Sequence, residues 1–172
     1  MGYEGDKLLE EKLANQIKAF LGVYFIRHAS WDEDVNHGTD FMILSSAPIR
    51  VAARLRRFEY YENLEWRNQF TIRWERPSGA LTEIHKIRRG DVDYLFYGFI
   101  DKNEKRIIKY LIGDLKLFRM NEPRAVAIIP NKPHDSDLAV YSVNWLPNFV
   151  LKCWDYDDPQ APKLFDINAM SR

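Results

Sequence analysis

From Ile49 to Arg56 the chain alternates between apolar and basic side chains. Ile49, Val51, Ala53 and Leu55 fall on one face of a strand, and Arg50, Ala52, Arg54 and Arg56 on the other, because successive strand side chains point to opposite sides. A strand that buries one face and turns three arginines out of the other belongs in a sheet covered on its apolar side. The neighbouring segments extend this sheet. Asp40 stands at the mouth of the apolar run Phe41–Leu44, and Phe70–Glu75 alternates again. A helical segment around Leu81–Ile87 is closed by Gly90, and Val92–Ile100 is apolar except for Asp93 and Gly98, as in a strand buried on both faces.

The N-terminal segment completes an αβββαβ order. Asp6 is placed to cap a helix from Lys7 to Leu21, ended by Gly22, with Leu9, Leu13, Ile17 and Phe20 as its buried stripe. Glu10 flanks that stripe and is the acid of this helix able to look inward over a sheet; a solvated flank position is its plainer reading. Val23–Ile26 reads as a strand, and His28–Gly38 as a polar loop leading to Asp40. Phe58–Asn68 reads as a turn or hairpin tip between two strands, and Ser78, after Pro77, as the cap of the helix reaching Arg89. Beyond Ile100, a strand at Ile107–Ile112, a short helix capped by Asp114, and strands at Ala125–Ile129, Leu138–Trp145 and Phe149–Trp154 are expected. The segment from Asp155 onward reads as a terminal tail. The 172 residues make one α/β domain with a central mixed sheet and additional C-terminal strands.

Formal net charge is zero, which argues against a protein that coats nucleic acid by bulk charge. The distribution is uneven. Ten Lys and Arg residues lie between Ile49 and Gly90 against five acids, a local excess of five. Such a centre suits a cleft for a polyanion, with Arg50, Arg54, Arg56, Arg57 and Arg73 as the contacts; the other reading is a solvated face paired with Glu59, Glu62, Glu65 and Glu75. One cysteine, Cys153, excludes an internal disulfide and a cysteine-based zinc site. The acidic start of the chain has no apolar run of the signal-peptide kind, and no segment has transmembrane length, so a cytoplasmic protein without a membrane partner is expected. No Gly-x-Ser-x-Gly elbow and no glycine-rich phosphate loop occur.

An acid before one strand, a charged pair two apart on the next, then a Thr82-Glu83-x-x-Lys86-Ile87 helix and a buried strand form a specific order. It resembles the core of the PD-(D/E)XK, or restriction-endonuclease-like, nuclease superfamily, and more narrowly a resolvase-like or viral member with a degenerate motif. The resemblance implies a metal-dependent endonuclease acting on DNA in the cytoplasm, that of the host for a viral member, with Mg²⁺ or Mn²⁺ as cofactor and a homodimer among its allowed assemblies. Asp40 maps onto the family's metal-binding Asp. Where the family has an acid followed by Lys, this chain has Arg54-Leu55-Arg56. Arg56 replaces the cation, but Arg54 cannot bind a metal. The second carboxylate then comes from Glu83, with Glu10 as the fallback, and Lys86 lies one helical turn beyond Glu83.

Each assignment has a plainer counterpart. Glu83 also suits a helix N-terminus as a favourable charge. Asp93 needs a partner in its buried strand, either an arginine such as Arg88 or a metal. Two further functions compete with the nuclease. One is a catalytically inactive nuclease fold that binds nucleic acid or a protein partner through the basic face. The other is an assembly protein whose arginines serve salt bridges.

Overall fold

The computed structural model describes residues 3–21, 26–43, 48–131, 136–146 and 148–157. The first helix, α1 (Tyr3–Leu21), begins before Asp6, so that residue lies inside the helix and does not cap it. Its stripe is as the periodicity requires: Leu9, Leu13, Ile17 and Phe20 are all buried. Fully burying side chains such as Leu13 and Ile17 contributes about 1.5–3 kcal/mol each. They pack with Val51, Ala53, Phe96, Ile100 and Tyr110, and the Phe20 ring lies 4.5 Å from that of Tyr110.

Those partners belong to a six-stranded mixed sheet in the order β1-β2-β3-β5-β6-β9. Its strands are β1 (Ile26–His28), β2 (Phe41–Ile43), β3 (Ile49–Arg56), β5 (Tyr94–Ile100), β6 (Ile107–Asp114) and β9 (Val150–Asp155). β3 and β5 run parallel, and the other neighbours are antiparallel. The alternation of β3 places Val51 and Ala53 against α1 and Ala52 in the opposite core. β5 lies inside the sheet between β3 and β6, and Leu95 to Ile100 are all buried, which explains its unbroken apolar run.

A second core covers the other face. A three-stranded antiparallel sheet, β4 (Gln69–Arg73), β8 (Asp137–Ser142) and β7 (Ala127–Pro130) in the order β4-β8-β7, carries Phe70, Ile72, Ala139 and Tyr141. With helices α4 (Glu83–Arg89) and α5 (Leu115–Asn121), it packs onto Ala52, Tyr97 and Phe99. The expected membership of Phe70–Glu75 in the central sheet is therefore corrected: that strand pairs with residues 138–142. At the far end, Phe149 is fully buried against bare backbone at Gly113, where a Cβ would come within 2.2 Å of its ring.

Several local expectations change for identifiable reasons. His28–Gly38 is not only a loop, for it holds helix α2 (Trp31–His37). Ser30 and Glu33 cap each other's backbone N–H at its start, and Gly38 ends it in the left-handed region at φ 65°. Phe58–Asn68 is no hairpin tip but helix α3 (Phe58–Glu62) and a 3-10 turn (Trp66–Asn68), which carry the chain from one sheet to the other. Ser78 caps nothing, because α4 starts at Glu83 behind Thr82. Asp93 precedes β5 and does not pair with Arg88; its carboxylate accepts from the Arg50 backbone N–H at 2.8 Å. Arg88 instead lies over the Trp74 ring at 5.0 Å. Asp114 caps α5 as expected, accepting from the N–H groups of Lys116 and Leu117. Residues 22–25, Leu44 and the tail beyond residue 157 lie outside the described residues. No helix among those described is long and apolar enough to cross a membrane.

Candidate functional site

The basic face of β3 opens on a cavity of about 1200 Å³ between the two sheets' edges, α2 and the start of α4. Residues Ala52–Arg57 form one wall, and Asp40 stands beside it. The backbone explains why an acid belongs there. β2 pairs with β3 through Phe41 and Val51, and Asp40 N–H still donates to Val51 O at 3.1 Å. β2 then leaves the sheet toward α2. The next free donor on β3, Ala53 N–H, is taken by Asp40 Oδ2, so a side chain continues the ladder where backbone pairing ends. Asp40 Oδ1 makes no hydrogen bond among the described residues.

Burial raises the Asp40 pKa, the Ala53 N–H opposes this, the charges of Asp34 and Glu83 add to it, and Arg54 offsets part. The outcome is a carboxyl pushed up to about 7, half protonated at neutral pH. A positive charge beside such a group lowers its pKa, and the proton leaves to solvent.

Arg54 Nη2 donates to Glu83 Oε2 at 2.6 Å, and the same oxygen accepts from Arg73 N–H at 3.0 Å. Glu83 Oε1 makes no hydrogen bond among the described residues. Burial works against the Arg54 charge, but Glu83, Tyr97, Glu10 and Asp40 outweigh it and push its pKa further up. The Nε atoms of Arg54 and Arg76 are buried without a hydrogen-bond partner among the described residues. Both arginines line the cavity. An unpaired buried guanidinium N–H is costly, while the terminal nitrogens of a guanidinium suit a phosphate oxygen.

Arg56 is held more firmly. Its Nε donates to Tyr97 OH at 2.9 Å, its Nη2 donates to Thr71 Oγ1, and its guanidinium lies 5.4 Å over the Tyr60 ring. Arg57 pairs with Glu104 at 3.1 Å. Lys86 turns to α2: its Nζ donates to the carbonyls of Val35 at 2.7 Å and Asp34 at 3.3 Å. A Cβ on Gly38 would come within 2.9 Å of Lys86 Cδ, so the glycine serves both the left-handed turn and this approach. Lys86 thus positions α2, and burial lowers its pKa.

Of the residues singled out from the sequence, Glu10, Asp40, Arg54, Arg56, Arg57, Arg73, Glu83 and Lys86 share the cavity, and Arg50 does not. Arg76, Asp34, Trp31 and Tyr60 also line it; from the sequence, Trp31 and the tyrosines are no more than base-stacking candidates among mostly core aromatics, and Asp34 is one acid of the polar segment before Asp40. Asp34 and Trp31 arrive on α2, whose Ser30-x-x-Glu33 signature was present to be read.

The donor set admits a particular kind of metal. No group of three or more His, Cys, Asp or Glu residues able to hold an ion occurs among the described residues. Asp40 and Glu83 nevertheless face one cavity, repel each other, and each keep one oxygen free of hydrogen bonds. Hard divalent cations such as Mg²⁺ are commonly held by one or two carboxylates, with water and substrate phosphate completing the shell. Asp40 and Glu83 match that arrangement in the number and kind of ligand. Compared with protein-family models, curated proteins and solved structures, the chain gives no significant match.

Proposed function

We propose that this protein is a metal-dependent nuclease acting on DNA, built on a restriction-endonuclease-like core. The observation that carries the reading is the placement of Asp40 at the point where β2 leaves β3, facing the Arg54–Glu83 pair across one cavity. The element order supports it: α1, the antiparallel set β1-β2-β3, then α4 and a β5 parallel to β3. On this reading Asp40 and Glu83 hold Mg²⁺ or Mn²⁺, with Glu10 on the cavity wall as the reserve acid. The ion would supply Lewis-acid polarisation of the phosphate and a more acidic bound water. Asp40 gives up its proton on ion binding. Arg54 and Arg76, which line the cavity, receive the phosphate on their guanidinium groups, and Arg56, fixed by Tyr97 and Thr71, contributes positive charge without moving.

One observation favours a second reading, a nuclease fold that binds nucleic acid without cutting it. Arg54 already neutralises Glu83 at 2.6 Å, so that carboxylate is engaged before any cation arrives. Incubation with branched, duplex and single-stranded DNA in Mg²⁺, Mn²⁺ or EDTA decides between them. The nuclease cuts with a divalent ion only, and Asp40→Ala abolishes cutting while the protein stays folded. Binding without cleavage under every metal condition gives the second reading.

A further inference from the structure

Two large aromatic side chains at the cavity have no core to serve. Trp31 is 72% exposed although tryptophan is usually among the more buried residues. It is the first residue of α2, on a backbone fixed by the reciprocal Ser30–Glu33 cap. Tyr60, on α3, is 44% exposed, with its ring 5.7 Å from that of Trp66, itself 46% exposed. Both Trp31 and Tyr60 line the same cavity as the arginines. From Ala53, which binds Asp40, β3 runs about 13 Å to Arg57 at the start of α3. Along that wall Arg54 lines the cavity, and Arg76 adds a second guanidinium.

We infer that the cavity takes a single-stranded stretch of polynucleotide, with phosphates on Arg54 and Arg76 and unstacked bases on Trp31 and Tyr60. This rests on reading the cavity as a nucleic-acid site. Interleaved basic and exposed aromatic groups are what a single strand needs, because every free base offers a π-face. A duplex spends those faces on its own stack and depends on phosphate contacts spread along both strands. This chain has zero formal net charge and puts acids, Asp40, Glu83 and Glu10, among the arginines of the cavity. Closely spaced duplex phosphates meet repulsion there. A flexible strand sets its phosphates on the arginines alone.

The test is binding in EDTA at low salt, which removes cleavage from the measurement. Labelled oligothymidylate and oligouridylate of about 12 nucleotides are compared with a DNA duplex of equal length by fluorescence anisotropy. The single strand binds more tightly than the duplex. Trp31→Ala and Tyr60→Ala each weaken it about 5- to 150-fold, the loss expected for one base stack. Trp31→Phe, which keeps a ring, retains most of the affinity. Preference for one oligonucleotide chemistry names DNA or RNA as the source of the strand. Equal or tighter duplex binding overturns the inference, as does unchanged single-strand affinity in both alanine variants with native circular dichroism. Failure of the nuclease reading is separate: single-strand binding with these losses, but no cleavage in Mg²⁺ or Mn²⁺, removes catalysis and leaves the inference standing. Metal-dependent duplex cleavage with no effect of Trp31→Ala or Tyr60→Ala on single-strand binding does the reverse.

Discussion

Asp40→Asn isolates the charge of the site from its shape. Asparagine Oδ1 can accept the Ala53 N–H as Asp40 Oδ2 does, so the substitution keeps the ladder and removes the ionisable group. In the folded protein this carboxyl titrates at about 7, against an ordinary value of 3.8. The folded state holds the proton more tightly than the unfolded chain. The group's contribution is therefore most favourable below pH 4 and is lost as pH rises to about 7. Its full span corresponds to about 4 kcal/mol, and more than half of it falls between pH 5 and pH 8. Urea unfolding of wild type and variant in EDTA at those two pH values reads this directly. The variant's advantage grows by up to about 3 kcal/mol at the higher pH. Mg²⁺ at pH 8 narrows the gap by stabilising wild type, and it does nothing for the variant. A gap that is the same at both pH values refutes the account of a buried carboxyl crowded by Asp34 and Glu83.

Arg54→Ala combined with Arg76→Ala should reduce the slope of log affinity for a single-stranded oligonucleotide against log salt by about 1.4, since each lost single-strand phosphate contact removes about 0.7; an unchanged slope places the phosphates elsewhere. Gly113→Ala forces a methyl into the Phe149 ring and should cost about 3 kcal/mol, a fall in Tm of about 6–12 °C by calorimetry. Lys86→Met strips two carbonyl acceptors at the end of α2 and should cost about 1.5 kcal/mol, with amide exchange speeding up in residues 31–37 before the rest of the chain.

What could be read from sequence was local. The stripe of α1, the two-faced pattern of β3 and the Asp114 cap each depend on residues within a few positions of one another, and each is present. The sheet that β4 joins depends on residues 138–142. Alternation in Phe70–Arg73 shows that one face is buried, but it carries no information about which strand lies alongside. Helix α2 was missed for the opposite reason. It buries no residue, so hydrophobic periodicity is silent, and only its caps mark it. The pairing of Arg54 with Glu83 spans 29 positions, and nothing in either neighbourhood specifies it. The role of Asp93 was missed because its partner is a backbone N–H, a donor that every position except proline offers.

The cavity's chemistry follows from the order in which its charges can be satisfied. Two carboxylates with one free oxygen each are too few to strip a small divalent cation of its water. On the proposed nuclease reading the arginines change this. Arg54 and Arg76 line the cavity, so a phosphate would gain by entering even while Asp40 is partly protonated. Once seated, it would bring the oxygen ligand the two carboxylates lack and add negative charge beside Asp40 and Glu83. That charge would raise the affinity for a cation, and Asp40 would give up its proton as the cation binds. An arginine in the position where the resembling family carries an acid is then consistent with a site that assembles its metal on the substrate. Under this ordering, cation affinity measured with the empty protein is weak and falls as pH drops below 7, while a bound oligonucleotide strengthens it.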